Sequence, residues 1–127
     1  MAKSFSGWLW RAVIVMAVLV LPLHHTHAGG AIAIGPCAAF GYAFDYPDIA
    51  EAQAVALAKC SQDSCEVAVT LKRACGAFAI DGTNACGAYG YAAAPSLGDA
   101  QNTALRKCHD FGGRECVIRT WACDARG

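Results

Sequence analysis

Small and apolar residues recur at helical spacing in two segments of the chain, in the order i, i+4, i+5 and i+8. The first set is Ala52, Ala56, Leu57 and Cys60, and the second is Ala100, Ala104, Leu105 and Cys108. This spacing lines one side of a helix. Asp48 and Ser96 are suited to the N-cap, and Lys59 and Lys107 to the negative C-terminal end. The pattern predicts two helices, each with one face lined mostly by alanine.

Short runs of apolar and β-branched residues flank each predicted helix and favour strands. The runs are 31–34, 39–44 and 65–71 around the first helix, and 77–80, 88–92 and 116–121 around the second. Asp81-Gly82 lies between two of these runs and is typical of a hairpin turn. The sequence therefore predicts an α+β fold in which two β-β-α-β repeats form one domain, with the helices packed on a mainly antiparallel sheet.

Alternation along the second strand of each repeat separates small from aromatic side chains. Ala39, Gly41 and Ala43 share one face with their counterparts Ala88, Gly90 and Ala92. Such small residues let a helix approach a sheet closely. The other face then carries Phe40, Tyr42, Phe44, Tyr46, Tyr89 and Tyr91. These aromatics form either a core layer between the repeats or a partly open platform that stacks on a sugar or anchors in a partner protein.

The eight cysteines divide into two matching sets of four, because the chain after its first segment is one unit written twice. Cys37, Cys60, Cys65 and Cys75 correspond to Cys86, Cys108, Cys116 and Cys123. We interpret residues 29–127 as a single domain of two repeats, about 29–74 and 75–123.

The first segment has the pattern of a secretory signal. Lys3 and Arg11 precede an apolar run over 12–23, and small residues at positions 26 and 28 suit a signal peptidase. A membrane anchor is the alternative, but this run is shorter than the roughly 20 residues that a helix needs to cross a bilayer. Residues 1–28 are therefore predicted to be a cleavable signal peptide, and the product to be exported, periplasmic or extracellular, with no membrane span after cleavage.

Removal of the leader changes the charge and the available chemistry. Of the ten basic residues Lys3 and Arg11 are lost, which leaves eight against ten acidic residues. The rest of the chain has no basic stripe, so nucleic acid is not expected as a partner. Only one of the four histidines, His109, lies after the leader.

In an exported chain an even number of cysteines indicates disulfides. Zinc is the alternative, but thiolate sites usually use tighter pairs than Cys60 with Cys65, and no metal or cofactor is predicted. The turn after each helix favours Cys60–Cys65 and Cys108–Cys116. A pseudo-twofold relation between the repeats allows Cys37–Cys86 and Cys75–Cys123, among the many pairings that eight cysteines permit.

Several segments together resemble a known bacterial family. They are 41–47, the alanine-rich helix ending in Lys59-Cys60, 65–69, 74–79, the second helix with Cys108 and Cys116, and the closing Trp121-Ala122-Cys123. This combination is similar to the family called domain of unknown function 4189. The resemblance implies an exported, disulfide-bonded α+β domain and brings no catalytic residues with it. Cys37 and Cys86 lie outside the usual pattern of that family.

Candidate catalytic groups are sparse. A serine hydrolase would combine His109 with Ser61, Ser64 or Ser96, but no nucleophile-elbow pattern surrounds these serines. The carboxylate pairs Asp45 with Asp48 and Asp110 with Glu115 fall in predicted loops or caps.

We therefore expect a binding or interaction module without catalysis, such as an effector, an inhibitor or an envelope accessory protein. Its partner would be an unknown protein or an envelope glycan, and a small hydrolase of envelope polymers is the alternative. The candidate binding residues are Tyr42, Phe44, Tyr46, Tyr89, Tyr91 and Trp121.

Overall fold

The computed structural model describes residues 29–124, so the predicted signal peptide lies outside the described residues. The elements in chain order are β1 (Gly29–Ile34), β2 (Phe40–Tyr46), α1 (Ile49–Cys60), β3 (Glu66–Leu71), β4 (Cys75–Asp81), β5 (Tyr89–Ala94), α2 (Leu97–Asp110) and β6 (Cys116–Cys123). A short 3₁₀ turn, Pro36–Ala38, joins β1 to β2. The order strand, strand, helix, strand thus occurs twice, and the predicted α+β fold of two similar units is confirmed.

Each unit forms its own three-stranded antiparallel sheet. The strand orders are β2-β1-β3 in the first unit and β5-β4-β6 in the second. Each helix covers the outer face of its own sheet, with α1 over β1 and β2 and α2 over β4 and β5. The inner faces pack on each other, so that β2 meets β6 and β3 meets β5. The molecule is a four-layer stack of helix, sheet, sheet and helix.

Alternation along the central strands divides the core between these layers. Ala31 and Ala33 of β1 lie under α1, whereas Ile32 between them faces the other sheet. In β4, Ala77 and Ala79 lie under α2, whereas Phe78 and Ile80 face the first sheet. The apolar core between the sheets contains Ile32, Val69, Leu71, Phe78, Ile80 and Ala122.

Two glycines mark where each helix touches its sheet. A Cβ atom placed on Gly41 would overlap Ala56 O and lie 2.6 Å from Cys60 N. A Cβ atom placed on Gly90 would overlap Ala104 O and lie 2.6 Å from Cys108 N. Both helices therefore pack backbone against backbone, as expected from the small residues at these positions.

Both helices begin at the caps that the sequence predicts, α1 ends at Cys60 as expected, and α2 continues two residues beyond Cys108 to Asp110. Asp48 caps α1 by accepting a hydrogen bond from Glu51 N at 2.7 Å, and Ser96 caps α2 by accepting one from Asp99 N at 3.2 Å. These caps satisfy amide groups that the first helical turn leaves without a partner. No helix within residues 29–124 is long and apolar enough to span a membrane.

Four disulfides connect the elements: the two short-range pairs that the sequence favours and the two long-range pairs that a pseudo-twofold relation allows. Cys60–Cys65 and Cys108–Cys116 each join a helix end to the next strand, across 5 and 8 residues. Cys37–Cys86 and Cys75–Cys123 join the two units across 49 and 48 residues. Because loop-closure entropy grows with loop length, each long-range bond is worth about 4 kcal/mol and each short one about 2 kcal/mol. The long-range bonds hold the two units together.

A buried carboxylate reinforces the junction between the units. Asp124 is fully buried and accepts hydrogen bonds from the backbone N–H groups of Arg73 and Ala74. Its own N–H donates to Ala74 O at 3.1 Å. The turn between β3 and β4 is thereby tied to the end of β6.

One residue of the predicted aromatic face lies elsewhere. Pairing between β1 and β2 shifts register between Gly29 and Ala31, and Asp45 has a φ of +59°. This irregularity in β2 interrupts the alternation of side chains, so that Tyr46 packs with the alanine cluster beneath α1. The prediction that Tyr46 shares a face with Tyr42 and Phe44 is therefore wrong.

The glycine contacts yield a stability prediction. Gly41→Ala or Gly90→Ala should lower the free energy of unfolding by about 1–3 kcal/mol, because the added methyl group has to displace a helix backbone. Urea unfolding monitored by circular dichroism measures the change. Gly98→Ala is the matched control, since it lies in α2 with nothing within 4 Å and should be neutral or stabilise by up to about 1 kcal/mol. Equal stability of all three variants would contradict the close packing.

Asp81 yields a prediction about pH. Hydrogen bonds from the Thr83 hydroxyl at 2.6 Å and the Thr83 N–H at 2.8 Å lower the pKa of its carboxyl, against the opposing effect of burial. The N–H of Arg114 also donates to this carboxyl, at 3.3 Å. A lowered pKa means that the unfolded chain binds the proton more readily than the folded one. The stabilisation is then complete above the ordinary aspartate pKa of about 3.9 and is lost as pH falls through the lower folded value.

We therefore expect the stability difference between wild type and Asp81→Asn to be largest near neutral pH and to shrink in acid. Urea unfolding between pH 7 and pH 2 measures it. Thr83→Ala keeps the carboxyl and removes its principal donor, so the loss of stability in acid should be smaller than in wild type and should be complete at a higher pH. A difference between wild type and Asp81→Asn that does not change with pH would contradict this role of Asp81.

Candidate binding site

Two tyrosines on β5 stand exposed beside each other. Gly90 and Ala92 point toward α2 and are buried, so alternation turns Tyr89 and Tyr91 the other way. Their side chains remain 49% and 36% exposed, with ring centroids 6.4 Å apart and planes inclined by 16°. Tyr89 also meets Phe78 edge-to-face at 6.1 Å, which anchors it on the core between the sheets. We call Tyr89 and Tyr91 the tyrosine ridge.

A depression of about 510 Å³ lies on one side of the ridge, where β3 faces β5. Phe78 and Ile80 also line it, as do Glu66 and Ala68 of β3. The Cys37–Cys86 disulfide borders the same space. The lining of this seam groove is polar and apolar in about equal parts, and it includes one exposed carboxylate, Glu66.

A second depression, of about 720 Å³, lies on the other side of the ridge, against the C-terminal end of α2. Its outer wall consists of Lys107, Asp110 and Phe111, and it is mainly apolar. Phe111 is 75% exposed, the largest exposed fraction among the large apolar side chains that the structure describes. We call this space the helix-end groove. Because the ridge borders both grooves, a ligand that occupies both would contact the two tyrosines from both sides.

Lys107 sets the charge beside the ridge. Its ammonium group lies 5.9 Å from the centroid of the Tyr91 ring and donates a hydrogen bond to Tyr91 O at 3.2 Å. The first repeat carries the same pair, with the Lys59 ammonium 5.3 Å from the Tyr42 ring. Cations over a ring face are attracted by its quadrupole. Lys107 is thereby held along the outer edge of β5.

The other predicted aromatics form a second patch at the opposite edge of the stack, where β2 faces β6. Tyr42, Phe44 and Trp121 line a depression of about 750 Å³, and Phe44 and Trp121 are 48% and 51% exposed. The rings of Phe40, Tyr42 and Phe44 follow one another along β2 at 6.5 and 6.1 Å. Phe40 and Tyr42 are partly buried against the core between the sheets.

Arg119 closes part of this second seam. Its guanidinium lies 5.0 Å from the centroid of the Phe40 ring, and its Nε donates to Ala38 O at 3.3 Å. The structure therefore divides the expected single platform into two patches at opposite edges. It brings Tyr89 together with Tyr91, and Tyr42 and Phe44 together with Trp121, while Tyr46 joins neither patch.

Sequence reasoning missed Phe111 and Glu66 as parts of the surface. Phe111 follows the last turn of α2 and precedes Gly112, whose φ of +98° ends the helix. An aromatic residue between a helix end and two glycines is a recognisable signal of an exposed side chain, since the chain leaves the packed face there. Glu66 gave no such signal, because its position depends on how the two sheets stack.

His109 lies outside the grooves, at the exposed C-terminal end of α2. Its Nδ1 atom is 3.1 Å from Gly113 O, a contact within the turn that follows the helix. Within residues 29–124 no three side chains of the types His, Cys, Asp and Glu cluster as metal ligands would.

Comparisons with known proteins agree with this architecture. A family model described as domain of unknown function (DUF4189) matches residues 30–123, from β1 to the end of β6. Protein Rv1269c of Mycobacterium tuberculosis and Protein Mb1300c of Mycobacterium bovis are each 38% identical over 95 residues, which is 75% of this chain and 68% of theirs.

A solved structure is similar as well. It is the NMR structure of Rv1813c from Mycobacterium tuberculosis, with a TM-score of 0.58 and 28% sequence identity. The match covers 97% of this chain and 93% of that chain. Both repeats therefore lie within the similarity.

Proposed function

The chain belongs to the DUF4189 family, and we propose that it is an exported interaction module, periplasmic or extracellular, that binds a partner through the tyrosine ridge. The observation that carries the proposal is the exposure of Tyr89 and Tyr91 side by side between two grooves. Tyrosine is enriched among the residues that dominate binding energy at interfaces. With only two side-chain torsions, it also loses little conformational entropy on binding.

The rigidity of the framework supports this role. Gly90 and Ala92 hold β5 against α2, and Cys108–Cys116 ties the end of that helix to β6. A ridge fixed in this way is already in place before a partner arrives, which reduces the free-energy cost of association. The four disulfides also suit an oxidising compartment outside the cytoplasm.

The charges around the ridge are mixed in sign. Glu66 borders one groove, whereas Lys107 and Asp110 border the other. A mixed rim around an aromatic centre is the usual arrangement of a protein interface and also suits a neutral glycan. The partner we propose is an unknown protein or envelope glycan, and the chain needs no cofactor or catalytic group for this role.

The proposal predicts that the tyrosine ridge controls partner capture. The Tyr89→Ala/Tyr91→Ala variant should retain less than about one thirtieth of the wild-type binding, because a central aromatic contact contributes about 2 kcal/mol or more. The measurement is quantitative capture from an envelope extract of the producing organism by the immobilised, oxidised protein. Circular dichroism and intact mass verify that the variant is folded and fully disulfide-bonded.

Phe44→Ala/Trp121→Ala is the matched control, since it removes two aromatic side chains of similar exposure from the opposite edge. We expect it to capture the same partner at nearly the wild-type level. Loss of capture in this control alone would move the site to the second patch. Unchanged capture by both variants would refute an aromatic binding surface.

A further inference from the structure

We propose that the partner of the tyrosine ridge is an extended peptide segment of another protein, which adds as a further strand to the outer edge of β5. The inference rests on the proposed function and names both the class of partner and its mode of binding. In strand addition, backbone hydrogen bonds supply affinity and alternate side chains enter pockets on the two sides of the new strand. Both elements are present at β5.

The backbone of β5 offers a row of hydrogen-bonding groups along its outer edge. Asp81 N donates to Ala88 O at 3.0 Å, which is one bond of a hydrogen-bonded pair in register with the antiparallel ladder of β4 and β5. Such pairs alternate along the strand, so the backbone N–H and C=O groups of Gly90 and Ala92 also point toward β4. Tyr89, Tyr91 and Ala93 therefore direct their N–H and C=O groups outward. The bond from Lys107 to Tyr91 O fits this direction, because it reaches that carbonyl from outside the sheet.

The other three edge strands pair irregularly with their neighbours, whereas β5 pairs regularly. Register shifts interrupt the pairing of β2 with β1, of β3 with β1 and of β6 with β4. Bulges of this kind protect an edge from pairing with a further strand. The pairing of β5 with β4 continues from Ile80–Tyr89 to Cys75–Ala94 without a shift. Among the four edges of the two described sheets, β5 is thus the one with a continuous ladder.

The two grooves lie where the side chains of an added strand would point. Successive side chains of a strand alternate between the two faces of its sheet. One face of the second sheet at β5 opens into the seam groove over Phe78 and Ile80, and the other opens into the helix-end groove beside Phe111. The peptide that fits is a segment of about five extended residues, with apolar side chains toward the helix-end groove and both polar and apolar side chains toward the seam groove.

Lys107 is compatible with this peptide and disfavours a second copy of the chain. A carbonyl oxygen has two lone pairs, so Tyr91 O can accept from Lys107 and from a partner N–H together. Two copies of β5 paired antiparallel about Tyr91 would instead bring both Lys107 ammonium groups to the same pair of residues. Like charges opposed across strands are destabilising. The edge therefore suits a foreign peptide better than itself.

Hydrogen exchange at single amides tests the inference. Random twelve-residue peptides are selected by display on the oxidised protein recovered after export of the full-length chain, and an enriched peptide is bound to it. We expect NMR to show exchange slowed by about tenfold or more at the amides of Tyr89, Tyr91 and Ala93. The amides of Gly90 and Ala92 already bond to β4 and should change little.

A proline variant tests the same edge without altering the tyrosines. Ala93→Pro removes one outward N–H and leaves the ladder to β4 in place, a substitution that edge strands accept. It should weaken peptide binding by about tenfold or more, whereas Ala93→Ser keeps the N–H and should bind within about twofold of wild type.

The outcomes separate this inference from the proposed function. A peptide that needs Tyr89 and Tyr91 but leaves the outward amides unprotected, and that tolerates Ala93→Pro, would overturn strand addition while supporting the ridge. Enrichment of no peptide would also overturn strand addition, and envelope capture by Tyr89→Ala/Tyr91→Ala then decides the ridge separately. Protection of the same amides without peptide, together with a doubled mass in solution, would assign the edge to a second copy and overturn the foreign peptide.

Discussion

The contact of each helix backbone with a glycine of its sheet is the constraint from which the rest of the structure follows. Gly41 and Gly90 leave space for the backbone carbonyl oxygens of Ala56 and Ala104. A residue larger than glycine at either position would have to move a helix. Once the small side chains of β2 and β5 face the helices, alternation turns the aromatic side chains toward the other sheet. The aromatic patches are therefore a consequence of helix packing, and their positions depend on where the two sheets leave a seam open.

The two repeats share this constraint and differ in the side chains that line the seams between their sheets. At the seam between β2 and β6, Arg119 lies against Phe40 and bonds Ala38 O, which fills part of the space. At the seam between β3 and β5, the groove beside Tyr89 stays open above the buried side chains of Phe78 and Ile80. The two seams therefore differ although the repeats are similar. The patch between β2 and β6 is partly closed by Arg119, whereas β5 is a regular edge with a groove on each side. We assign the binding function to β5.

Much of the fold could be predicted from local patterns. The alanine-lined helices, their Asp48 and Ser96 caps and the short-range disulfides depend on spacing within about a dozen residues, which the sequence displays directly. Tyr46 was misplaced because a single residue, Asp45, adopts a left-handed conformation and interrupts the alternation. The division of the aromatics and the position of Glu66 depend on the stacking of two sheets, a long-range relation that no local pattern records.

Nuclear Overhauser effects in solution show whether contact of α2 with the small residues of β5 places the tyrosines on the opposite face of the sheet. We expect strong effects between the α protons of Gly90 and the amide proton of Cys108, and between the Tyr89 ring and the Phe78 ring. We expect none between the Tyr91 ring and the Ala104 methyl group, which lie on opposite faces of the sheet. An effect between Tyr91 and Ala104, with none between Gly90 and Cys108, would show that the tyrosines face α2 and that the helix does not contact Gly90.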